Sequence, residues 1–237
     1  SAYGKDLGNN VTLLDLTGAL CAAAQSARIS LGSLNPTAIT RGFCERLSKC
    51  ANLCRHIHLS LQSGDDATLR RMNRHYGSND VKKAVTLLRE YFDNINITAD
   101  LICGFCGETE EEFEQTKRLV KECAFTKVHV FPYSARRGTA SYKLKDNVKK
   151  SDKEKRCREI SEISKIARAE FLERQIGREH TVLFEQQTQM GVIGGYTSNY
   201  LYAQAINAGE ACKGDMKRVK VIGVNNEKLQ CAVYPWE

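Results

Sequence analysis

Short strand-like segments and amphipathic helices take turns along residues 28–133, and this alternation limits the fold more than any other feature of the chain. Strands are read at 28-RISLG-32, 56-HIHLSLQ-62, 95-INITADLIC-103 and 127-KVHVFPY-133. Pro36 stops the first of them, and Ile39, Phe43 and Leu47 then recur at helical spacing within 34–50. A second helix is read over 79–92, with Val81, Ala84, Val85, Leu88 and Phe92 on one face, and a third over 109–125. Thr109 and Glu112 fit a capping box, and Glu110, Glu111 and Glu112 suit the positive end of that helix. Such alternation predicts βαβ units, a parallel sheet and right-handed crossovers.

Both a doubly wound sheet and a (β/α) barrel satisfy this pattern, and the polar residues separate them. Successive strand residues point to opposite faces. Ser30, then His58, Ser60 and Gln62, then Thr98 and Asp100, then His129 and Tyr133 share one parity. A doubly wound sheet covers both faces with apolar helices, whereas a barrel can direct a polar set inward near the carboxyl ends of its strands. The expected class is therefore α/β, with residues 1–150 forming a partial parallel (β/α) barrel. Four strands are read, with room for a fifth before Tyr3, where a closed barrel needs eight in about 250 residues.

A connecting helix is expected over 151–177, started by a capping box of Ser151 and Glu154 and ended by Gly177. Beyond it the periodicity changes. Short β-rich runs at 179–186, 190–197, 200–206 and 217–234 are separated by Gly or Asn, and Asn225-Asn226 resembles a hairpin turn. Residues 178–237 are thus expected to form a small antiparallel β-barrel, a type that binds single-stranded nucleic acid or serves as a protein adaptor. Tyr196, Tyr200 and Tyr202, with Lys213, Lys217, Arg218 and Lys220, suit the first role.

The net charge of +7 is concentrated: between Arg136 and Arg158 stand ten Lys or Arg against three Asp or Glu. Such a block suits phosphate contact or a solvated helix start. No apolar run is long enough to span a bilayer, no leader is read, and the ten cysteines are expected to be reduced thiols of a soluble, cytoplasmic protein.

The string 100-DLICGFCGETEEEF-113 resembles the fifth-strand motif of radical S-adenosylmethionine (SAM) enzymes, in the form seen in methylthiotransferases. The blocks 3-YGKD-6, 30-SLGSLNP-36, 59-LSLQSG-64, 72-MNRHY-76 and 129-HVFPYSARRGT-139 are similar to the same family, and the C-terminal region to its RNA-binding TRAM domain. The wording of two blocks is most similar to the branch that methylthiolates N6-threonylcarbamoyladenosine beside the tRNA anticodon. The isopentenyladenosine and ribosomal-protein branches are alternatives. The resemblance implies SAM, two 4Fe-4S clusters and a tRNA partner. By family position, it implies SAM contacts from Gln62, Ser63, Asp100, Gly104, Glu108 and Tyr133; Arg136 and Arg137, beside the strand mouth, are expected to hold tRNA phosphates. The family's C-x3-C-x2-C cluster motif is absent; 50-CANLCRHI-57 has Ile57 at its third position, and Cys106 stands where the family has proline. The chain is therefore expected to be a C-terminal fragment, inactive alone, which hides its open sheet edge near 28–32 by self-association or under residues 1–27. Two further readings are a stand-alone RNA-binding module with a dead barrel remnant, and an unrelated barrel lyase or aldolase using His58 or Lys127.

Overall fold

The computed structural model describes residues 3, 4, 6, 8, 11–187, 192–206 and 213–234; a strand ahead of Tyr3 would lie outside them. Among the described residues the chain runs α1 (Leu13–Ala23), α2 (Arg41–Leu47), β1 (His56–Gln62), α3 (Asp66–Arg71), α4 (Ser78–Tyr91), β2 (Asn96–Cys103), α5 (Glu110–Cys123), β3 (Lys127–Pro132), α6 (Lys150–Glu173), β4 (Glu179–Gln187), β5 (Val192–Thr197), β6 (Tyr202–Ile206), β7 (Met216–Asn225) and β8 (Lys228–Val233).

β1, β2 and β3 form a parallel sheet in that order, with His58 opposite Thr98 and Asp100 opposite His129. Along β1 every second residue is buried, Ile57, Leu59 and Leu61 facing the helices. Val81, Ala84, Val85 and Leu88 of α4 and Phe113, Leu119 and Val120 of α5 complete that core. Both helices begin as the sequence predicts, and Thr109 and Glu112 make the expected reciprocal capping box. Helix α6 closes the far edge. The Ser164 hydroxyl accepts the otherwise unpaired Val128 N–H at 2.8 Å, so a side chain takes the place of a further strand.

The segment 28–32 is not a strand. Two isolated parallel bridges run past it, Ile29 to Leu53 ahead of β1 and Leu34 to Leu59 within β1. One side advances five residues between the bridges and the other six, so the register slips and no ladder can form. Ser30, expected in the polar row, is exposed outside any strand. The helix expected from residue 34 begins only after Thr40, which caps α2, because Asn35 and Pro36 first make a separate 3-10 turn. Helix α6 starts at Lys150 with no side-chain cap, so Ser151 lies inside the helix and its expected capping box does not form.

β4 to β8 close a small barrel in the order β4-β5-β6-β8-β7. It is antiparallel except for β6 and β8, which run parallel. Its core of Val182, Phe184, Ile193, Leu201, Val219, Val221 and Leu229 is separate from that of the sheet, with Phe171 and Leu172 of α6 plugging one side. The hairpin turn falls on Asn226 and Glu227, both with positive φ, one residue later than the sequence suggests.

The two units meet at the amino ends of β1 and β2. The Arg28 guanidinium donates to the carbonyls of Tyr196 and Thr181, both at 2.6 Å. The Asn96 amide donates to the Asn199 carbonyl at 2.9 Å, and the Asn199 amide donates back to that of Asn94. Asn94 and Gln175 exchange two side-chain hydrogen bonds.

Gly64 marks the tightest approach of the β1–α3 turn to α5. A Cβ there would lie 2.7 Å from the Thr116 Cα, which is backbone and cannot step aside. Gly64→Ala is expected to cost about 1–3 kcal/mol, read as a lower urea midpoint.

Candidate functional site

The carboxyl ends of β1, β2 and β3 open into a cleft of about 780 Å³, lined among others by Gln62, Asp100, Phe131, Tyr133 and Arg136. The strands reach it with different local devices. β1 carries a bulge between Leu59 and Gln62, so that Gln62 pairs with Leu101. Gln62 takes φ +65°, a left-handed conformation that costs a non-glycine residue about 1–2 kcal/mol. A bulge of this kind re-aims a side chain, and here it sets Gln62 in the cleft wall. Tyr133 follows β3 directly, its N–H held by the Cys103 carbonyl and its ring packed edge-on against Phe105 at 4.9 Å.

Behind the cleft a polar row lies along one face of the sheet. His58 Nε2 is 3.1 Å from the Asp100 carboxylate, and His58 Nδ1 is 2.8 Å from the Thr98 hydroxyl. His56 reaches the same hydroxyl at 3.0 Å, and the His129 ring lies edge-on to His58. Of the polar parity seen in the sequence, His58, Thr98, Asp100 and His129 thus form one connected group, joined by His56. Burial drives the His56 imidazole down to about 4, helped by the neighbouring His58 and His129. Burial, with Lys127 and His58 nearby, also lowers His129.

Of the residues implied as cofactor contacts, Gln62, Asp100 and Tyr133 line the cleft together. Ser63, Gly104 and Glu108 do not line it. Ser63 is fully buried; its hydroxyl lies 3.3 Å from that of Thr116 and accepts the Asp65 N–H. Gly104 has φ +72° and packs against Lys153 so closely that a Cβ would overlap that side chain. The Glu108 carboxylate accepts the Gly104 N–H at 2.6 Å and Arg156 at 2.7 Å, with only 1% of its side chain exposed. Glu108 therefore shapes the turn after β2, and burial pushes its carboxyl up against the pull of those two donors. Lys153 braces the same region, donating to both Asp146 carboxylate oxygens and to the Tyr133 carbonyl.

Arg136 belongs to the cleft wall, and Arg137 is exposed beside it. Lys213, Lys217, Arg218 and Lys220 are carried by the small barrel, far along the chain from the cleft. Arg218 is paired with Glu179, and Lys217 lies 3.9 Å from Asp215. Lys127 is exposed at the amino end of β3, away from the cleft. Tyr200 stacks on His56 at 5.1 Å and on Tyr196 at 4.8 Å, joining the small barrel to the base of the polar row. The sequence reading passed over Arg74. It stands in the 72-MNRHY-76 block, lines the cleft, and has a buried Nε without a hydrogen-bond partner.

No group of three His, Cys, Asp or Glu among the described residues is placed to hold a metal ion. Cys54 is a buried core thiol that burial pushes up, and Cys50 neighbours Cys21. These residues do not fit an iron–sulfur cluster. No helix among the described residues is long and apolar enough to cross a membrane.

Residues 8–120 match the family model described as the radical SAM superfamily. The chain is 34% identical over 227 residues to a tRNA-2-methylthio-N(6)-dimethylallyladenosine synthase of Chlorobium luteolum, covering 94% of this chain and 51% of the relative. It is also 34% identical over 199 residues to the threonylcarbamoyladenosine tRNA methylthiotransferase MtaB of Thermotoga maritima, covering 84% of this chain and 45% of that protein. The chain thus spans about half the length of these curated relatives. Among solved structures, the coproporphyrinogen III oxidase HemN of Escherichia coli, a radical SAM enzyme, matches at a TM-score of 0.55 and 19% identity, over 66% of this chain and 38% of its own. That likeness is one of fold.

Two outcomes check these assignments. Arg156→Met would leave the Glu108 carboxylate buried without its cation, and is expected to cost about 3–5 kcal/mol in chemical denaturation. His56 has a folded pKa below its unfolded value, so its contribution is present above about pH 6.5 and is lost as pH falls toward 4. His56→Gln should flatten the loss of stability over that window, by at most about 3 kcal/mol.

Proposed function

We propose that this chain, which belongs to the radical SAM superfamily in its methylthiotransferase branch, forms the SAM-binding and RNA-presenting part of an enzyme that methylthiolates N6-threonylcarbamoyladenosine in tRNA. The observation that carries the reading is the convergence of Gln62, Asp100 and Tyr133 on one cleft at the carboxyl ends of three parallel strands. Similarity to relatives named for both the dimethylallyl and the threonylcarbamoyl adenosine supports the methylthiotransferase branch. The SLGSLNP and HVFPYS blocks favour the threonylcarbamoyl substrate.

When bound, SAM supplies the radical in this superfamily and, in its methylthiotransferases, the methyl group as well. The part of this chain is to bind and orient. Asp100, held by His58, offers a carboxylate to hydroxyl or ammonium donors of a nucleoside ligand. Gln62 offers one amide donor–acceptor face to the cleft, and Phe131, 52% exposed, an apolar surface for a flat base. The small barrel is read as a TRAM domain, with Lys213, Lys217, Arg218 and Lys220 supplementing Arg136 and Arg137 as tRNA contacts.

S-adenosylhomocysteine serves as the probe. Asp100→Ala is expected to weaken its binding to this chain about tenfold by isothermal titration. An unchanged affinity, or no binding to the native chain, would sink the cleft assignment. Replacing Arg136 and Arg137 together with alanine should weaken binding of tRNAs of any sequence alike and lower the salt slope by about 2.

A further inference from the structure

The polar row behind the cleft contains one group whose chemistry forces a choice. The Thr98 hydroxyl is buried, and it lies 3.0 Å from His56 Nε2 and 2.8 Å from His58 Nδ1. A hydroxyl carries one proton, so between two ring nitrogens it donates to one and accepts from the other. The two imidazoles must therefore turn opposite characters toward it, one a lone pair and the other an N–H. His58 Nε2 in turn lies 3.1 Å from a carboxylate oxygen of Asp100, which has only lone pairs to offer. A neutral His58 avoids lone-pair repulsion there by carrying its proton on Nε2, and its Nδ1 is then left to accept from Thr98. Thr98 completes the chain by accepting from Nε2–H of His56. Burial drives the pKa of His56 to about 4, so that ring is uncharged at neutral pH, as this arrangement requires. The far end of the chain is clamped, because the His56 ring stacks on Tyr200 at 5.1 Å.

Strand β2 aims Asp100, but it does not decide whether His58 turns a proton or a lone pair toward it. The bond made by the other ring nitrogen decides that. We propose that Thr98 is a positioning residue for the ligand-binding carboxylate: its hydroxyl, oriented by His56, holds His58 as the Nε2–H tautomer, so that His58 engages one Asp100 oxygen and leaves the other for the ligand. The proposal rests on the reading above that Asp100 meets a nucleoside ligand. Thr98 is not part of the cleft lining, so it acts through His58 and Asp100 and not by contact. Among the described residues His58 is the one side chain that engages the Asp100 carboxylate, which remains 31% exposed. The same logic makes the small barrel a brace for the cleft, since the stack on Tyr200 fixes the ring that points the Thr98 hydroxyl.

Two readouts on the full 237-residue chain test this. Nitrogen-15 NMR of the histidine-labelled chain reads the tautomers directly. At neutral pH, His56 and His58 should each show a protonated Nε2 and a bare Nδ1. A His58 that carries a proton on Nδ1, alone or in addition to Nε2, would overturn the proposal. This spectrum is taken on the native chain and does not depend on the folding of any variant. Isothermal titration with S-adenosylhomocysteine is the second readout. Thr98→Val keeps the shape of the side chain and removes the hydroxyl; it should weaken binding about tenfold and change the His58 nitrogen signals. Thr98→Ser keeps the hydroxyl and should restore both. In an Asp100→Ala background, Thr98→Val should weaken binding no further, because its effect passes through that carboxylate. Additive losses, or a weaker Thr98→Val chain whose His58 signals are native, would mark Thr98 as packing alone and overturn the proposal. Native affinity in Thr98→Val would overturn it as well and leave the cleft reading standing. Failure of S-adenosylhomocysteine to bind the native chain would remove the cleft reading, and the role of Thr98 with it.

Discussion

A buried ion pair ties the sheet to the helix that closes it. Glu108 leaves β2 through a glycine turn and is held at once by a backbone N–H and by Arg156 of α6. Neither partner can be taken away cheaply, because the survivor would stay charged and dry. The pair fixes where α6 lies. From that position Lys153 reaches under Tyr133 and Asp146, and Ser164 satisfies the edge of β3. The floor of the cleft, the outer border of the sheet and the course of residues 133–146 all follow from this anchoring.

The cleft wall shows the opposite economy. Gln62 holds a backbone conformation that an L-residue adopts reluctantly, and it does so where β1 gains an extra residue. Strain of this sort persists where the surrounding packing over-determines it. Here the packing is the fully buried Leu61 and Ser63 on either side, facing the helix layer. Flanked by two inward-anchored neighbours, Gln62 has one direction left, and it is toward the cleft. Asp100 needs no such device, because an unbroken strand already aims it along the row of His58 and Thr98.

Much of this was legible in the residues, for reasons that are local. The capping box at Thr109 needs only two side chains three residues apart, and the polar parity of β1, β2 and β3 is a period of two. The segment 28–32 reads as a strand yet does not form one, because the obstacle lies in the register between two distant segments, which no local pattern carries. Ser63 and Glu108 look the same in sequence as residues facing a ligand. Only the placement of α5 and α6 turns them into packing. The parallel pairing of β6 with β8 is likewise a property of barrel closure, not of either strand. Arg74 stayed hidden because what sets it apart is a missing partner, and sequence does not record what a side chain fails to touch.

The small barrel grips the strands at their start, through Arg28, Asn94, Asn96 and the stack of Tyr200 on His56, whereas the cleft opens where those strands finish. β1 spans seven residues, and at about 3.3 Å of rise each its two ends stand some 20 Å apart. The sheet is thus a fixed spacer. Any single molecule that meets both the tyrosine stack and Asp100 must bridge that gap, which a lone nucleoside is too short to do and a folded polynucleotide is not.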